Sequence, residues 1–300
     1  MTAEPIRIPS GGEELEALLY LPTTPPPHPF VVMAGGWCYV KELVQPLFAE
    51  VFTEAGLGAL IFDYRTFGGS SGEPRQHIDP WMQIEDYRNA LSYLQSRDDV
   101  DEDRLAAWGI SYSGGHVLIL GAIDDRLRAV CSIVPVIDGW DNLRLGHGTV
   151  SFRALLAALR EARTRLYQTG EQTYIDHQPA QLGAVGTFPF PHSRETFKRL
   201  RQSEGPGYEG RATAVSTEML LTYSVRPFLS RLLATPTLMC LAEGDDHTHW
   251  DLAAEAFNAI PGMRKQLHVV PRAGHLTLYE DVDVRRTVAG IAADFFASHL

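Results

Sequence analysis

Along the first 135 residues, short apolar and β-branched runs alternate with longer segments whose apolar positions recur every three to four residues. A parallel α/β sheet has this pattern, because each buried strand is followed by a helix with one apolar face. Ile6–Pro9 and Leu15–Leu21 read as opening strands around the turn Ser10-Gly11-Gly12. Phe30–Ala34 reads as a buried strand behind the proline-rich stretch Pro22 to Pro29. Lys41–Ala55 shows helical spacing at Leu43, Leu47, Val51 and Phe52, in spite of Pro46. Leu60–Asp63 is the next strand, and Asp79–Arg97 a long helix with Pro80 in its first turn. Strand Arg104–Gly109, helix Gly114–Ile123 and strand Ala129–Val134 follow.

After Pro135 the rhythm stops. Residues from about 138 to 230 carry helical patterns, such as Phe152–Tyr167 and Glu195–Arg201, around a Gly-, Pro- and Phe-rich run at Gln178–His192, with no convincing buried strand. Alternation returns with strand Thr237–Ala242, helix Asp251–Asn258, strand Gln266–Val270 and helix Asp283–Ser298. The expected organisation is an α/β core built from residues 1–137 and 232–300, interrupted by a helical cap insertion at 138–231. No internal repeat is present.

Composition narrows the function classes. Three hundred residues with 45% hydrophobic content suffice for one large domain with an insertion. The 37 acidic against 26 basic residues give a net charge of −11, which repels phosphate backbones and anionic membranes and argues against both as partners. Cys38, Cys131 and Cys240 are too scattered for a disulfide framework or a zinc pattern. The N-terminus does not read as a signal peptide, and no run of about 18 apolar residues occurs. A soluble, cytoplasmic protein is expected, with a homodimer left open.

The strongest chemical signal is Gly109-Ile-Ser-Tyr-Ser-Gly-Gly115, between a strand and a helix. Small residues two before and two after a serine permit a sharp strand-to-helix turn, which lifts the hydroxyl above the sheet. Ser111 fits as nucleophile in the frame G-x-S-x-S, and Ser113 offers a competing frame ending at Gly115. An acid and then a histidine should follow in later strand-to-helix loops. Glu243-Gly-Asp-Asp-His-Thr-His249 supplies Asp245 or Asp246, with Asp245 preferred, and Pro271-Arg-Ala-Gly-His275 supplies His275. His247 and His249 next to the aspartates raise a metal reading, but no further ligand cluster accompanies them, so they read as loop residues and no metal is expected. Donors to a developing oxyanion would be the Tyr112 backbone N–H and the Trp37 N–H after strand Phe30–Ala34, with the Tyr39 hydroxyl as an alternative. Gly36, Tyr39, Trp140 and Tyr279 are candidate substrate-pocket residues, and His116 is expected to pack.

Together with Asp63-Tyr-Arg-Thr-Phe-Gly-Gly69, Val100-Asp-Glu-Asp-Arg104 and Gly274-His275, these motifs resemble those of the serine α/β-hydrolases. The likeness covers about residues 5–135 and 232–299. It is strongest to the branch of YcjY-like hydrolases and fungal polyketide transferases. The Ser-Tyr elbow is also shared with the Xaa-Pro dipeptidyl-peptidase and cocaine-esterase group. The sequence departs from that pattern at Ser113, in place of the second elbow glycine, and at Gly35, where many relatives have histidine. The resemblance implies an α/β-hydrolase fold with a mostly parallel sheet and a Ser111–Asp245–His275 triad. It further implies a small-molecule acyl substrate, no cofactor, and Asp63 and Arg65 as a loop-fixing ion pair. The implied reaction is hydrolysis of an ester, lactone or thioester. Acyl transfer or carbon–carbon hydrolysis by the same triad, and a non-catalytic binding protein of this fold, are the alternatives.

Overall fold

The computed structural model describes residues 3–181 and 183–300. The chain opens with β1 (Glu4–Ser10), β2 (Glu13–Tyr20) and β3 (His28–Ala34), then α1 (Gln45–Glu54), β4 (Gly58–Phe62) and α2 (Pro80–Gln95). β5 (Val100–Ile110), α3 (Tyr112–Ile123) and β6 (Leu127–Ile133) complete the first part. Next come α4 (Gly139–Thr169), β7 (Tyr174–Asp176), α5 (Pro191–Ser203), β8 (Arg211–Thr213), α6 (Ala214–Thr222) and α7 (Arg226–Leu229). β9 (Thr237–Ala242), α8 (Trp250–Ala259), β10 (Lys265–Val270), α9 (Thr277–Glu280) and α10 (Val282–Ala297) close the chain.

Eight strands form one sheet in the order β1-β2-β4-β3-β5-β6-β9-β10. β1 and β2 pair antiparallel, as do β2 and β4, and every other pairing is parallel. β4 and β9 are buried along their whole length, which matches their unbroken apolar runs, since helices cover both faces of a parallel sheet. β10, at the sheet edge, is only partly covered.

Two local expectations shift. α1 starts at Gln45 rather than Lys41, because Pro46 takes a first-turn position where its missing N–H is harmless, and Val44 before it has φ 66°. The stretch between β6 and β9 is not free of strands. β7 and β8 pair antiparallel over three residues each and bury Ile175 and Ala212, a run too short for sequence periodicity to reveal. α4 is also not continuous, since Gly148 interrupts it at φ 63°, ψ 177°. Among the described residues, no helix is long and apolar enough to cross a membrane.

The sheet order fixes where chemistry can gather. β3, β5, β6, β9 and β10 lie side by side and parallel, so the loops after them emerge on one edge. Trp37, Ser111, Asp245 and His275 all sit in those loops.

Candidate active site

At the end of β5 the backbone passes through Ser111 at φ 59°, ψ −116°, a region that L-residues rarely occupy, and enters α3 at once. Small neighbours make this turn attainable. A Cβ at Gly109 would stand 2.3 Å from the Ser113 carbonyl oxygen, and one at Gly115 would stand 2.4 Å from that of Val136. Surrounding chain also pins the turn, because Ser111 N–H donates to Ile133 O (2.8 Å) and Ser111 O accepts from Val136 N–H (3.0 Å). Ser113, in the competing frame, is fully buried. Its hydroxyl accepts from Ile110 N–H (2.8 Å) and lies 2.8 Å from Ala34 O, so it braces the ends of β5 and β3 together.

The loop after β3 comes close to the serine. A Cβ at Gly36 would meet Ser111 Cβ at 3.1 Å and Ile110 O at 3.2 Å, so glycine lets this loop pass that close to the serine without a shift. The Trp37 ring packs edge-on against Tyr112, centroids 5.1 Å apart. Tyr112 is the first residue of α3, so its N–H has no carbonyl partner within the helix.

The loops after β9 and β10 meet beside this turn. Asp245 Oδ2 accepts from His275 Nδ1 at 2.9 Å and from the Thr248 hydroxyl at 2.8 Å. Its Oδ1 accepts the backbone N–H groups of His247 and Thr248, both at 2.9 Å. Burial alone would push this carboxyl up. The facing His275 and the Thr248 donors overcome that and bring it to about 2. Asp246 is on the other side of the loop with its side chain 61% exposed, and it accepts from His247 Nδ1 at 2.6 Å.

His275 Nε2 faces the hydroxyl of Tyr279 at 3.1 Å. The Tyr279 ring also packs edge-on against that of Tyr39, centroids 5.7 Å apart. Tyr279 is fully buried beside the histidine, four residues after it, with its ring stacked on the imidazole. Ser111, His275, Trp37 and Tyr39 line one cavity of only about 20 Å³, roughly the room of a single water. His177, Phe188 and Phe197 close it from the stretch between β6 and β9. Trp140 is elsewhere: its ring is 45% exposed and packs edge-on against Phe152.

Two further histidines line this site, His247, which the sequence reads as a loop residue, and His177, which sequence reasoning missed. His247 is buried rather than a free loop residue. It stacks on His275 at 5.1 Å and 9°, and its Nε2 meets the Ser193 hydroxyl at 2.5 Å. His177 is buried on the cavity wall with Nδ1 2.7 Å from the Tyr208 hydroxyl. Burial, with His247 and His275 adding to it, holds the His177 imidazole well below its ordinary range. His177 has no periodic or motif signal; only its residue type could have drawn notice. His116 does pack: its nitrogens meet the Tyr223 hydroxyl (3.0 Å) and Gln83 Oε1 (2.9 Å), and burial brings it down to about 3.

The expected Asp63–Arg65 ion pair does not form. Asp63 Oδ2 binds Lys41 Nζ at 2.9 Å, and Arg65 Nε binds Asp86 Oδ1 at 2.6 Å. Each charge takes a partner that folding brings from a distant part of the chain. Donor atoms of His192, Asp246 and His247 come within 4.8 Å of one another, so His192, not His249, completes that cluster. Both His247 nitrogens are already engaged there, by Asp246 and Ser193. A second group, Glu16, Glu42 and Asp63, surrounds the Lys41 ammonium.

Residues 11–275 match the family model described as X-Pro dipeptidyl-peptidase (S15 family). The chain is similar to the quorum-quenching protein AidA of Acinetobacter baumannii (strain MDR-ZJ06), with 38% identity over 156 residues. That match covers 52% of this chain and 51% of the relative, about half of each. It is also similar to the thiohydrolase aneE of Aspergillus aculeatus, 28% identical over 270 residues that cover 88% of this chain and 83% of that one. The crystal structure of the α/β hydrolase GrgF from Penicillium sp. sh18 superposes with a TM-score of 0.84 at 22% identity, covering 100% of this chain and 99% of that one. The fold is that of the α/β-hydrolases.

Proposed function

The chain belongs to the X-Pro dipeptidyl-peptidase (S15) family, and from that premise we propose that it is a serine hydrolase of carboxylic ester, lactone or thioester bonds. The observation that carries this reading is the 2.9 Å contact between Asp245 Oδ2 and His275 Nδ1, beside a strained Ser111 that lines the same cavity as His275. Asp245 holds the imidazole in the tautomer whose Nε2 is a base. In the first half-reaction Ser111 Oγ adds to the acyl carbonyl, and its proton passes to His275. The tetrahedral oxyanion accepts from the Tyr112 and Trp37 N–H groups, each such donor contributing about 3 kcal/mol in comparable sites. Collapse breaks the bond to the leaving group, which takes the proton from His275 and leaves an acyl-Ser111 ester. Water, deprotonated by the same imidazole, then cleaves that ester and restores the serine.

In this scheme residues 138–231 act as a cap. What supports that is the source of His177, Phe188 and Phe197, which close the cavity over Ser111. The same closure favours a second reading, acyl transfer to an alcohol or amine. A water-sized space walled by Trp37, Phe188 and Phe197 limits the water that competes for the acyl-enzyme.

The test is intact mass after a fluorophosphonate, on wild type and Ser111→Ala, beside turnover of a short p-nitrophenyl ester. A single adduct that disappears in the variant, with turnover down by several orders of magnitude, is expected. An adduct that persists in Ser111→Ala overturns the assignment. Product analysis with added acceptor alcohol separates hydrolysis from transfer.

A further inference from the structure

The catalytic cavity is too small to hold an acyl substrate whole, so the substrate must extend into neighbouring space. A second cavity of about 190 Å³ adjoins it, and the two share the side chains of Gln178 and Phe197 as walls. Their floors are also joined, because Tyr208 in the second cavity stacks on Phe197 (5.2 Å, 21°) and its hydroxyl meets His177 of the first.

The second cavity is cationic. Arg194, Lys198 and Arg201 recur on α5 at i, i+4 and i+7, so they share one helix face along its wall. The two carboxylates of the same cavity are already committed, Asp176 to Arg194 at 2.9 Å and Glu209 to Arg211 at 2.9 Å. Lys198 has only a loose 3.6 Å contact with exposed Glu195, and Arg201 has no carboxylate within ion-pair distance among the described residues. In a chain of net charge −11, this cationic face of α5, in the cavity next to the one that Ser111 lines, is a local exception to a repulsive field.

We propose that this cavity is a subsite for an anionic group, carboxylate or phosphate, carried by the acyl substrate beyond the scissile carbonyl. Lys198 and Arg201 bind it, and Arg194 borders it. The inference rests on the acyl-hydrolase reading and names the substrate class for it. Reorientation of Phe197 and Gln178 joins the two spaces, so that an acyl carbon at Ser111 and a charge at α5 belong to one ligand.

Binding is measured by calorimetry in the Ser111→Ala background, which isolates recognition from chemistry. The probes are butyryl-coenzyme A, the succinyl thioester of N-acetylcysteamine, and the neutral butyryl thioester of N-acetylcysteamine. At least one anionic probe should bind about tenfold more tightly than the neutral one, with the difference shrinking as salt is raised. Preference for the coenzyme A thioester assigns the charge to a phosphorylated leaving group, and preference for the succinyl thioester assigns it to the acyl part. Lys198→Glu with Arg201→Glu should abolish the preference, while Arg128→Glu on β6, a single charge reversal at an exposed position outside this cavity, should keep it. Equal binding of all three probes, or a preference that survives the double variant, overturns the subsite. Turnover of the neutral thioester by the wild type reports separately on the acyl-hydrolase reading. Turnover without any anion preference sinks the subsite alone. Anion-dependent binding without turnover of any probe sinks the catalytic reading and leaves a ligand site.

Discussion

Replacing Asp245 with Asn tests the arrangement at its most constrained point. An amide keeps the shape, and its oxygen can still accept the His247 and Thr248 N–H groups that now bind Oδ1. Its NH₂ then faces His275 Nδ1, where Oδ2 now accepts at 2.9 Å. The imidazole must turn its proton to Nε2, and the base toward Ser111 is lost. Turnover should fall about 10⁴-fold, the scale of that tautomer error in a comparable triad. Asp246→Asn, at an exposed carboxylate that faces His247 instead, should stay within about tenfold of wild type. Stability supplies a second, independent readout. Asp245 falls from an ordinary 3.8 to about 2 in a buried setting, which corresponds to about 2 kcal/mol. Because the folded value is the lower one, that contribution is complete above about pH 4 and is lost as pH falls toward 2. Urea unfolding of wild type and Asp245→Asn, at pH 7 and again near pH 2, should show the wild-type advantage shrink by that amount. The reasoning fails if Asp245→Asn keeps turnover within tenfold while Asp246→Asn does not, or if the stability gap is unchanged at pH 2.

Tyr279→Phe removes the hydroxyl that sits 3.1 Å from His275 Nε2 and should lower kcat/KM several-fold through lost positioning, about 1 kcal/mol, with the fold intact by circular dichroism; an unchanged value refutes it. Lys41→Met strips the buried Asp63 of its counter-ion and should destabilise the protein by about 3–5 kcal/mol in denaturant titration, with Asp63→Asn on top restoring part of the loss. His116, brought from 6.5 to about 3 by burial, takes up its proton far more readily when unfolded. Stability should therefore decline as pH drops below about 6.5 toward 3, and His116→Gln should flatten that slope in urea titrations across the range.

Much of this protein is decided by short-range order in the chain. The apolar run of β4 made a strand legible at Leu60–Asp63, which the structure places at Gly58–Phe62, buried on both faces. The turn at Ser111 is likewise local, since the contacts that forbid a side chain at Gly109 lie four and five residues along. Asp245 and His275 are separated by 30 residues, yet each lies in the loop after a strand, and the order of those strands was enough to nominate His275 and the pair Asp245 and Asp246, with Asp245 preferred. Contacts that depend on which surfaces meet after folding were not legible. Arg65 reaches Asp86 rather than Asp63, and Lys41 takes Asp63, because the shortest charge separations arise across the fold and not along the strand. Trp140 has the composition of a pocket residue but turns outward against Phe152. The pairing of β9 with β10 brings His247 onto His275, and the approach of the residue 139–229 segment to the sheet edge brings His177 into the same cavity, contacts that no local pattern encodes. Backbone-encoded features follow from steric rules within a few residues, so the sequence by itself determined the sheet, the strained serine turn and the loops that carry Asp245 and His275. Side-chain partnerships between remote segments depend on distances that exist only after packing, so the tertiary structure alone decided the carboxylate facing His275, the tyrosine beside it and the walls of the cavity.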